Sequence, residues 1–365
     1  MAAVTDLKHV PATAEPPPAS TGLRSTDAAA GRFWVTVGAL WLALMVYAWS
    51  AWVISGDFKA NTRGRAAAPE WYKVMVHSVE VFAVLVTLYI LWRFVIRDKL
   101  KTGRLSFDAL FFLGCWALLI QEPWINWSSY QFMYSTVAIN FGSWTSHIPL
   151  WSSPNSQLVP LPFIWVGTAY LWLVAIPAWA GSKFMTWLRA RQPGIGFFRL
   201  LGTTFLAFVV FDLLLESAIT RTQLFSYAST VPSLTLFAGT RYQFPLYETV
   251  SWCGTYLGLA CIHHFRDDRG RTLVERGVDK LRVRGRAKTF CRFLAIMGAC
   301  QLVMLVTYNI PYVYWGLHAG PMPKSLVDST WRNGGVCGPS TAYACPTPKD
   351  PIARISSPTN RVALH

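Results

Sequence analysis

Two acidic residues lie inside a strongly apolar stretch of this chain, where an acid is costly. Asp212 and Glu216 fall within Ile195–Ile219, a run long and apolar enough to cross a membrane. Inserting an aspartate into such a span costs roughly 2.5–3.5 kcal/mol. Because they are four residues apart, the two side chains share one helix face, about 6 Å from each other. We therefore expect them either to be paired with another group or to carry out proton chemistry.

The composition places these acids in a membrane protein. The chain has 365 residues, of which 53% are hydrophobic and 14% charged, whereas soluble domains carry about 25% charged residues. The net charge of +15 comes from basic residues concentrated in short segments between apolar runs. This distribution follows the positive-inside rule, so we expect membrane lipids rather than nucleic acid as the partner of these charges.

The apolar runs predict an all-α, polytopic bundle of about seven membrane spans. The predicted spans are Phe33–Ile54, Val74–Ile96, Phe107–Ile125, Pro162–Ala180, Ile195–Ile219, Pro245–His264 and Phe293–Trp315. With seven spans, the basic segments at 97–104, 183–191 and 266–292 all fall on one side. The N-terminus is then inside and the C-terminus outside a multi-pass protein of the cell membrane.

Three regions follow from this topology. Residues 1–31 are rich in Pro, Ala and Thr and are predicted to be a disordered cytoplasmic tail. Residues 32–318 form the transmembrane domain, and residues 319–365 form an extracytoplasmic C-terminal tail. In that tail Cys337 and Cys345 are predicted to form a disulfide that closes a small loop. The oligomeric state stays open.

The topology brings the intramembrane polar residues to similar depths. At 1.5 Å per residue, the polar residues of five predicted spans fall in the outer leaflet. We predict one polar site there, with Asp212, Glu216, Glu122, His77 and Glu80 as its catalytic residues. The predicted substrate-binding residues are Glu248, Asn309, Tyr308, Asn126, Trp124, Asn140 and Trp144.

Alternative interpretations of these residues remain open. Acids at span ends often contact lipid headgroups, and Arg221 and Arg241 lie where they could neutralise Asp212 and Glu216 as ion pairs. The loop 127–161 contains no Lys, Arg, Asp or Glu but many aromatic residues. It is either an interfacial anchor or an apolar lid over the acids.

The sequence contains no strong motif for a cofactor or a metal. There is no Walker loop, no dinucleotide fingerprint and no His-Glu-x-x-His motif. A metal held by His77, Glu80, Asp212 and Glu216 is conceivable from the ligand types, but one His among carboxylates is a thin ligand set. We therefore expect neither a metal nor a cofactor.

Three local motifs resemble one known family. The segment Asn140–Pro149 (NFGSWTSHIP) follows Glu122-Pro-Trp and precedes Phe211–Glu216 (FDLLLE). In this order the motifs are similar to those of the AveC-type spirocyclases of actinobacteria. The resemblance spans roughly residues 33–315 and implies a polytopic membrane protein of secondary metabolism. In the macrolide polyketide pathways of that family, the founding members form a spiroketal and one also dehydrates it.

The predicted site suits such chemistry. Spiroketal formation needs an acid that protonates a departing hydroxyl and a base that accepts the proton of the attacking hydroxyl. We predict that Asp212, the deeper residue, is the protonated acid and that Glu216 or Glu122 is the base. His77 and Glu80 are predicted to be a second pair that relays protons. The predicted function is thus an acid–base cyclase, isomerase or dehydratase acting on a lipophilic hydroxylated polyketide or lipid.

Two other function classes compete with this prediction. Intramembrane carboxylates also serve proton-coupled transporters of lipophilic molecules, although the odd number of spans and the lack of an internal repeat disfavour that function. A non-enzymatic, lipid-binding scaffold would leave the acids unexplained unless Arg221, Arg241 or the backbone pairs with all of them.

Overall fold

The computed structural model describes residues 21–338, 341 and 343–345. The first helix begins at Thr21, so it includes residues 21–31 of the segment predicted to be a tail. Residues 1–20 of that segment lie outside the described residues, as do residues 346–365.

Helices make up most of the structure. The α-helices are α1 Thr21–Ile54, α2 Glu70–Ile90, α3 Arg97–Thr102, α4 Phe107–Trp116, α5 Trp165–Ala169, α6 Ile176–Arg191, α7 Phe197–Thr222, α8 Leu246–His264, α9 Leu273–Arg276, α10 Gly285–Met304, α11 Ile310–Leu317, α12 Lys324–Val327 and α13 Thr330–Asn333. Short 3₁₀ turns cover Arg65–Ala67, Thr145–His147, Ser156–Leu158, Pro232–Leu234 and Val278–Lys280.

Several helices continue into each other through irregular turns. The π-helical segments Leu91–Ile96, Tyr170–Ala175 and Leu305–Asn309 join α2 to α3, α5 to α6 and α10 to α11. A longer 3₁₀ segment, Ala117–Asn126, extends α4 and contains Pro123. Proline lacks a backbone N–H, so it cannot sustain the regular α-helical hydrogen bonds at this point.

Five helical stretches in the described part of the chain are long and apolar enough to cross a membrane. They are Ala28–Ile54, Glu70–Thr102, Phe107–Asn126, Phe197–Thr222 and Gly285–Leu317. These stretches indicate a membrane protein and overlap five of the seven predicted spans. The other two predicted spans, Pro162–Ala180 and Pro245–His264, fall on α5–α6 and α8, which are not among the five, so they stay predictions.

The helices pack closely around a shared interior. α1 packs along α10, α4 packs against α10, and α6 and α7 both pack on α8. At the crossing of α1 and α10, a Cβ on Gly298 would lie 2.7 Å from the backbone nitrogen of Gly38. Small residues are what allow two membrane helices to approach this closely.

Buried amides tie the 3₁₀ extension of α4 to the last long helix. Gln121 donates through Nε2 to Oε1 of Gln301 at 2.5 Å, and Asn309 donates through Nδ2 to Oε1 of Gln121 at 2.7 Å. Gln301 in turn donates to the Ala117 carbonyl oxygen at 2.8 Å. Because these groups are buried, their hydrogen bonds fix the segment that carries the neighbouring Glu122.

Short strands cover the end of the bundle at which α7 stops. In the described residues, β1 Phe132–Tyr134 pairs antiparallel with β2 Phe225–Tyr227, and β3 Thr235–Leu236 pairs with β4 Phe244–Pro245. The start of the predicted C-terminal tail packs on the same end, where the Trp331 carbonyl oxygen accepts a hydrogen bond from Thr136 N–H at 3.0 Å. The predicted disulfide is confirmed, since Cys337 and Cys345 are bonded.

Candidate functional site

A cavity of about 80 Å³ lies between the helices beneath β1 and β2. Aromatic and aliphatic side chains form most of its wall, and they include Phe132, Trp165, Phe225 and Trp252. Its polar lining consists of carboxyl and phenol groups, from Glu122, Glu216, Glu248, Tyr134, Tyr170, Tyr227, Tyr256 and Tyr308. The site therefore combines apolar walls with groups that exchange protons.

Irregular backbone brings several of these groups into the wall. Tyr170 and Tyr308 belong to two different π-helical segments, and Glu122 belongs to the 3₁₀ segment interrupted by Pro123. π-Helical turns often mark functional sites. At membrane depth, non-α backbone is tolerated where it is buried in protein or lines a cavity. The irregular segments and the polar cavity therefore coincide for a physical reason.

Glu122 is held by two tyrosines from different elements. The Tyr134 hydroxyl on β1 donates to Oε1 of Glu122, and the Tyr170 hydroxyl donates to Oε2. Each carboxylate oxygen thus accepts one phenol hydrogen bond, and hydrogen bonds of this kind favour the ionised form. Burial, followed by the charge of Glu122, raises the pKa of Tyr134 well above its ordinary value, so this hydroxyl stays a donor at neutral pH.

Three further acids form a cluster at the same cavity, and we call Asp212, Glu216 and Glu248 the carboxylate triad. One oxygen from each lies within 4.8 Å of the others. Asp212 and Glu216 come from successive turns of α7, and Glu248 comes from the first turn of α8. Glu216 accepts a hydrogen bond of 2.6 Å from the Tyr227 hydroxyl on β2. Glu216 and Glu248 line the cavity, whereas Asp212 is not part of its lining.

Two members of the triad are completely withdrawn from solvent. Asp212 is 0% exposed and Glu248 is 1% exposed. Both carboxylate oxygens of Asp212 and Oε2 of Glu248 have no hydrogen-bond partner. The Thr249 hydroxyl lies beside Asp212 but forms no hydrogen bond of ordinary geometry with it. Unsatisfied buried charge of this kind is strongly unfavourable.

No basic side chain compensates the triad in the described part of the chain. None of the ion pairs found there within 4.0 Å includes Asp212, Glu216 or Glu248. At separations below 4.8 Å, two ionised carboxylates repel by roughly 3 kcal/mol or more at an effective dielectric constant of about 20. Three ionised acids at these distances therefore need added positive charge.

The two arginines considered as partners of the acids lie over aromatic rings instead. The Arg221 guanidinium is 4.3 Å from the ring centroid of Phe237 and 4.9 Å from that of Tyr242. Arg241 lies 4.8 Å from the Tyr242 ring and donates to its hydroxyl. The interpretation that Arg221 and Arg241 neutralise the acids as ion pairs is therefore wrong.

The tyrosine beside the triad remains a proton donor. Burial, followed by the charges of Glu216 and Glu248, raises the pKa of Tyr227 well above its ordinary value. The phenol therefore stays protonated at neutral pH. It fixes one oxygen of Glu216 and leaves the other available to the cavity.

His77 and Glu80 lie apart from the cavity lining. They are paired as the spacing predicts, with Nδ1 of His77 2.7 Å from Oε2 of Glu80. The other oxygen of Glu80 accepts the Ile139 N–H at 2.7 Å. This pair therefore anchors the aromatic loop 127–161. The proton relay predicted for it stays a prediction.

Most of the predicted substrate-binding residues do not line the cavity but hold other parts of the structure together. Asn126 accepts hydrogen bonds from the N–H groups of Gln131 and Phe132. Asn140 accepts a hydrogen bond from the Asn61 N–H, and Trp144 donates to the Ile120 carbonyl oxygen.

The remaining predicted substrate-binding residues divide between packing and the cavity wall. Trp124 packs against Trp41 with 5.6 Å between the ring centroids. Asn309 belongs to the buried amide network, so Glu248 and Tyr308 are the predicted substrate-binding residues that line the cavity.

The sequence interpretation missed the tyrosines that hold the acids. Tyr170 and Tyr227 were not singled out, and Tyr134 was considered only as an aromatic residue of the loop. Tyrosines near the ends of spans usually sit in the interfacial belt, so their residue type gave no separate signal. Thr249, next to Glu248, was also missed. Threonine is common within membrane helices, so its residue type gave no signal either.

Comparison with known proteins agrees with the resemblance found in the motifs. The family model described as "Spirocyclase AveC-like" matches residues 102–330, a range that contains Glu122 and the whole carboxylate triad. No curated protein and no solved structure matches the chain. The family match covers more than half of the 365 residues, and the chain therefore belongs to the AveC-like spirocyclase family.

Proposed function

We propose that this protein is a membrane-embedded acid–base enzyme that cyclises or dehydrates a lipophilic hydroxylated compound. Membership of the AveC-like spirocyclase family suggests a cyclase-type role in polyketide biosynthesis. The observation that carries the proposal is the uncompensated carboxylate triad, which shares one apolar cavity with Glu122. Such a site holds both a source and an acceptor of protons without any charged partner to quench them.

The contacts favour a division of roles between the two sets of acids. Glu122 accepts a hydrogen bond at each oxygen, which suits a base that must be ionised. The triad cannot hold three negative charges, which suits a group of acids that retains a proton. We assign the acid to the triad as a whole. Its proton reaches the substrate through Glu216 or Glu248, because these two residues line the cavity and Asp212 does not.

A spiroketal closure shows how these roles would operate. The first hydroxyl of a dihydroxy ketone adds to the carbonyl carbon and gives a hemiketal. A triad carboxyl protonates the hemiketal hydroxyl and the C–O bond breaks. Water departs, and the substrate becomes an oxocarbenium ion. The second hydroxyl then attacks the cation, and Glu122 accepts its proton. The substrate loses one water, and the proton on Glu122 returns to the triad through solvent.

The cavity wall supports a lipophilic substrate. The cavity of about 80 Å³ is small beside the roughly 300–1,000 Å³ of ordinary ligand pockets, so it holds only part of a lipophilic substrate. We expect the reacting carbons of the substrate to enter while the rest lies along the apolar helices. Residues such as Trp165 and Phe225 would shield an oxocarbenium ion from stray water.

The location of the enzyme is also part of the proposal. Seven spans, with the N-terminus inside and the C-terminus outside the cell membrane, would place the cavity in the outer leaflet. The disulfide between Cys337 and Cys345 supports this orientation, because disulfides persist outside the cytoplasm. The basic segment 266–292 at the other end of α8 supports it as well.

A metabolite comparison tests the function directly. Cells that carry the wild type, a deletion, Asp212→Asn/Glu216→Gln or the surface control Glu70→Gln are compared for lipids and polyketides. We expect the deletion and the double variant to accumulate the same precursor, heavier than the product by one water, while the control behaves like the wild type. If the same compounds are made but are distributed differently across the membrane, the protein is a transporter.

A further inference from the structure

We propose that the carboxylate triad binds a divalent cation of the Mg²⁺, Mn²⁺ or Ca²⁺ class. The binding site stands on the geometry alone, whereas its use in catalysis rests on the proposed function. The cation would lie between α7 and α8, at the wall of the cavity. Among the described residues, no basic side chain forms an ion pair with the acids at this point.

The separation of the carboxylate oxygens suits a shared ion. Oxygen ligands lie about 2.0–2.1 Å from Mg²⁺ and about 2.3–2.6 Å from Ca²⁺. Two oxygens on one ion are therefore at most about 4.2 Å apart for Mg²⁺ and about 5.2 Å apart for Ca²⁺. Those of Asp212, Glu216 and Glu248 lie within 4.8 Å of one another, which is within the Ca²⁺ limit and slightly beyond the Mg²⁺ limit. Small side-chain rotations would bring all three onto a common centre.

A second observation is independent of the clustering of acids. The Thr249 hydroxyl is 2% exposed, lies beside Asp212 and has no hydrogen-bond partner. Both oxygens of Asp212, a fully buried residue, also lack partners. Buried polar groups are rarely left unsatisfied. A cation at this point would satisfy these oxygens together.

The ligand chemistry selects the class of ion. Carboxylate, hydroxyl and water oxygens suit Mg²⁺, Mn²⁺ and Ca²⁺, whereas zinc and copper sites usually include His or Cys. Among the described residues, no His or Cys joins the three acids in the cluster. The cavity next to Glu216 and Glu248 provides room for water or a substrate oxygen to complete the coordination.

The charge balance allows the cation and the acid role together. One divalent cation and one proton exactly offset three ionised carboxylates, and a neutral site is what a membrane interior favours. The proton remains available for the departing hydroxyl. The cation would act as a Lewis acid on the hydroxyl oxygen, and so weaken the C–O bond that breaks.

Binding of Mn²⁺ by the purified full-length protein tests the proposal without any activity assay. The protein is treated with EDTA in detergent and titrated with Mn²⁺, and free Mn²⁺ is followed by electron paramagnetic resonance. We expect one saturable site per chain, displaced by excess Mg²⁺ or Ca²⁺. Loss of a partner beyond the direct ligands typically weakens a metal site about 10–100-fold, so Asp212→Asn and Glu248→Gln should each weaken binding at least about 100-fold.

Matched variants separate this site from other acids. Thr249→Val should weaken Mn²⁺ binding about 10-fold. Glu122→Gln, in the same cavity but outside the triad, and Glu70→Gln, on the exposed end of α2, should bind like the wild type. The proposal is overturned if the wild type shows no saturable binding. It is equally overturned if folded Asp212→Asn binds Mn²⁺ as tightly as the wild type.

The two proposals fail in different ways. If the wild type does not bind Mn²⁺ and Glu216→Gln loses cyclisation, the cation proposal is wrong and the proposed proton chemistry stands. If Mn²⁺ binding is saturable and depends on Asp212, but Glu122→Gln and Glu216→Gln cyclise fully, the cation proposal stands and the proposed function is wrong.

Discussion

Two groups of three acids in this protein are treated in opposite ways by their surroundings. The loop cluster consists of Asp267, Glu275 and Asp279, three of the four acids in the basic segment 266–292. Every acid of the loop cluster has a basic partner, with the closest nitrogen–oxygen distances between 2.5 and 2.8 Å, supplied by Arg271, Lys288 and Arg292. The carboxylate triad is more deeply buried as a set, yet no basic side chain among the described residues forms an ion pair with it.

The difference separates structure from chemistry. Asp267 and Asp279 remain partly exposed, so water would lower the cost of leaving them unpaired, but the fold pairs them nonetheless. Asp212 and Glu248 lack both water and a basic partner. A protein keeps such an unfavourable arrangement where perturbed acids do work at a functional site.

The largest effect should follow from loss of a cavity acid. Glu216→Gln or Glu122→Gln should lower kcat by about 10²–10⁴-fold, because each removes a proton-transfer group. In EDTA, without the proposed cation, the thermal unfolding temperature of Glu216→Gln should not fall, since the change relieves repulsion among three closely spaced acids. Turnover and thermal unfolding of the same purified samples check this. A variant that unfolds at a much lower temperature would indicate a structural role.

The converse result is expected in the loop cluster. Glu275 is 1% exposed, accepts from Arg292 at 2.6 Å and caps the start of α9. Glu275→Gln should lower the free energy of unfolding by about 1.5–3 kcal/mol, the usual contribution of a hydrogen bond to a charged group. Activity per folded molecule should stay at the wild-type level. Loss of turnover in a folded Glu275→Gln sample would erase the contrast between the two clusters.

Removing a phenol from Glu122 should have an intermediate effect on rate. Tyr134→Phe or Tyr170→Phe removes a charge-assisted hydrogen bond, and about 1.5–3 kcal/mol corresponds to roughly a 10–100-fold loss of kcat. Tyr130→Phe is the matched control, because Tyr130 donates to the Pro154 carbonyl oxygen away from the cavity lining. It should affect stability without a comparable change in kcat. Equal kcat values for all three variants would argue against an activated Glu122.

The smallest effect is expected for the arginine near the end of α7. Arg221 lies over the rings of Phe237 and Tyr242, and an exposed cation–π contact contributes about 0.5–1 kcal/mol. Arg221→Gln should therefore lower stability by no more than this and leave kcat within about twofold. A loss of activity as large as that of Glu216→Gln would mean that Arg221 compensates the triad during the reaction.

Spacing and depth were enough to predict part of the site. The four-residue spacing of Asp212 and Glu216 placed them on one helix face, and span depth added Glu122, Glu248 and Tyr308. Depth is a single coordinate, however. It does not give the direction in which a side chain leaves the bundle. His77 and Glu80 were therefore predicted in the site, although Glu80 accepts a hydrogen bond from Ile139 of the loop and His77 pairs with Glu80.

Other features depend on packing that a single sequence does not encode locally. No residue type marks the π-helical segments that carry Tyr170 and Tyr308, and such segments are rare. Ring contacts of Arg221 depend on a tertiary arrangement of the segment after β2. The apolar runs, by contrast, predicted the helices whose residues line the cavity.

Cyclisation in vitro tests the central claim most directly. Membranes containing the wild type, Glu122→Gln or Glu216→Gln are incubated with lipophilic dihydroxy ketones, and the loss of one water and the stereoisomers of the product are followed. We predict rapid formation of one spiroketal stereoisomer by the wild type, and only the slow, spontaneous mixture of isomers with either variant. Wild-type rates and a single stereoisomer from both variants would contradict the claim that these uncompensated acids carry the chemistry.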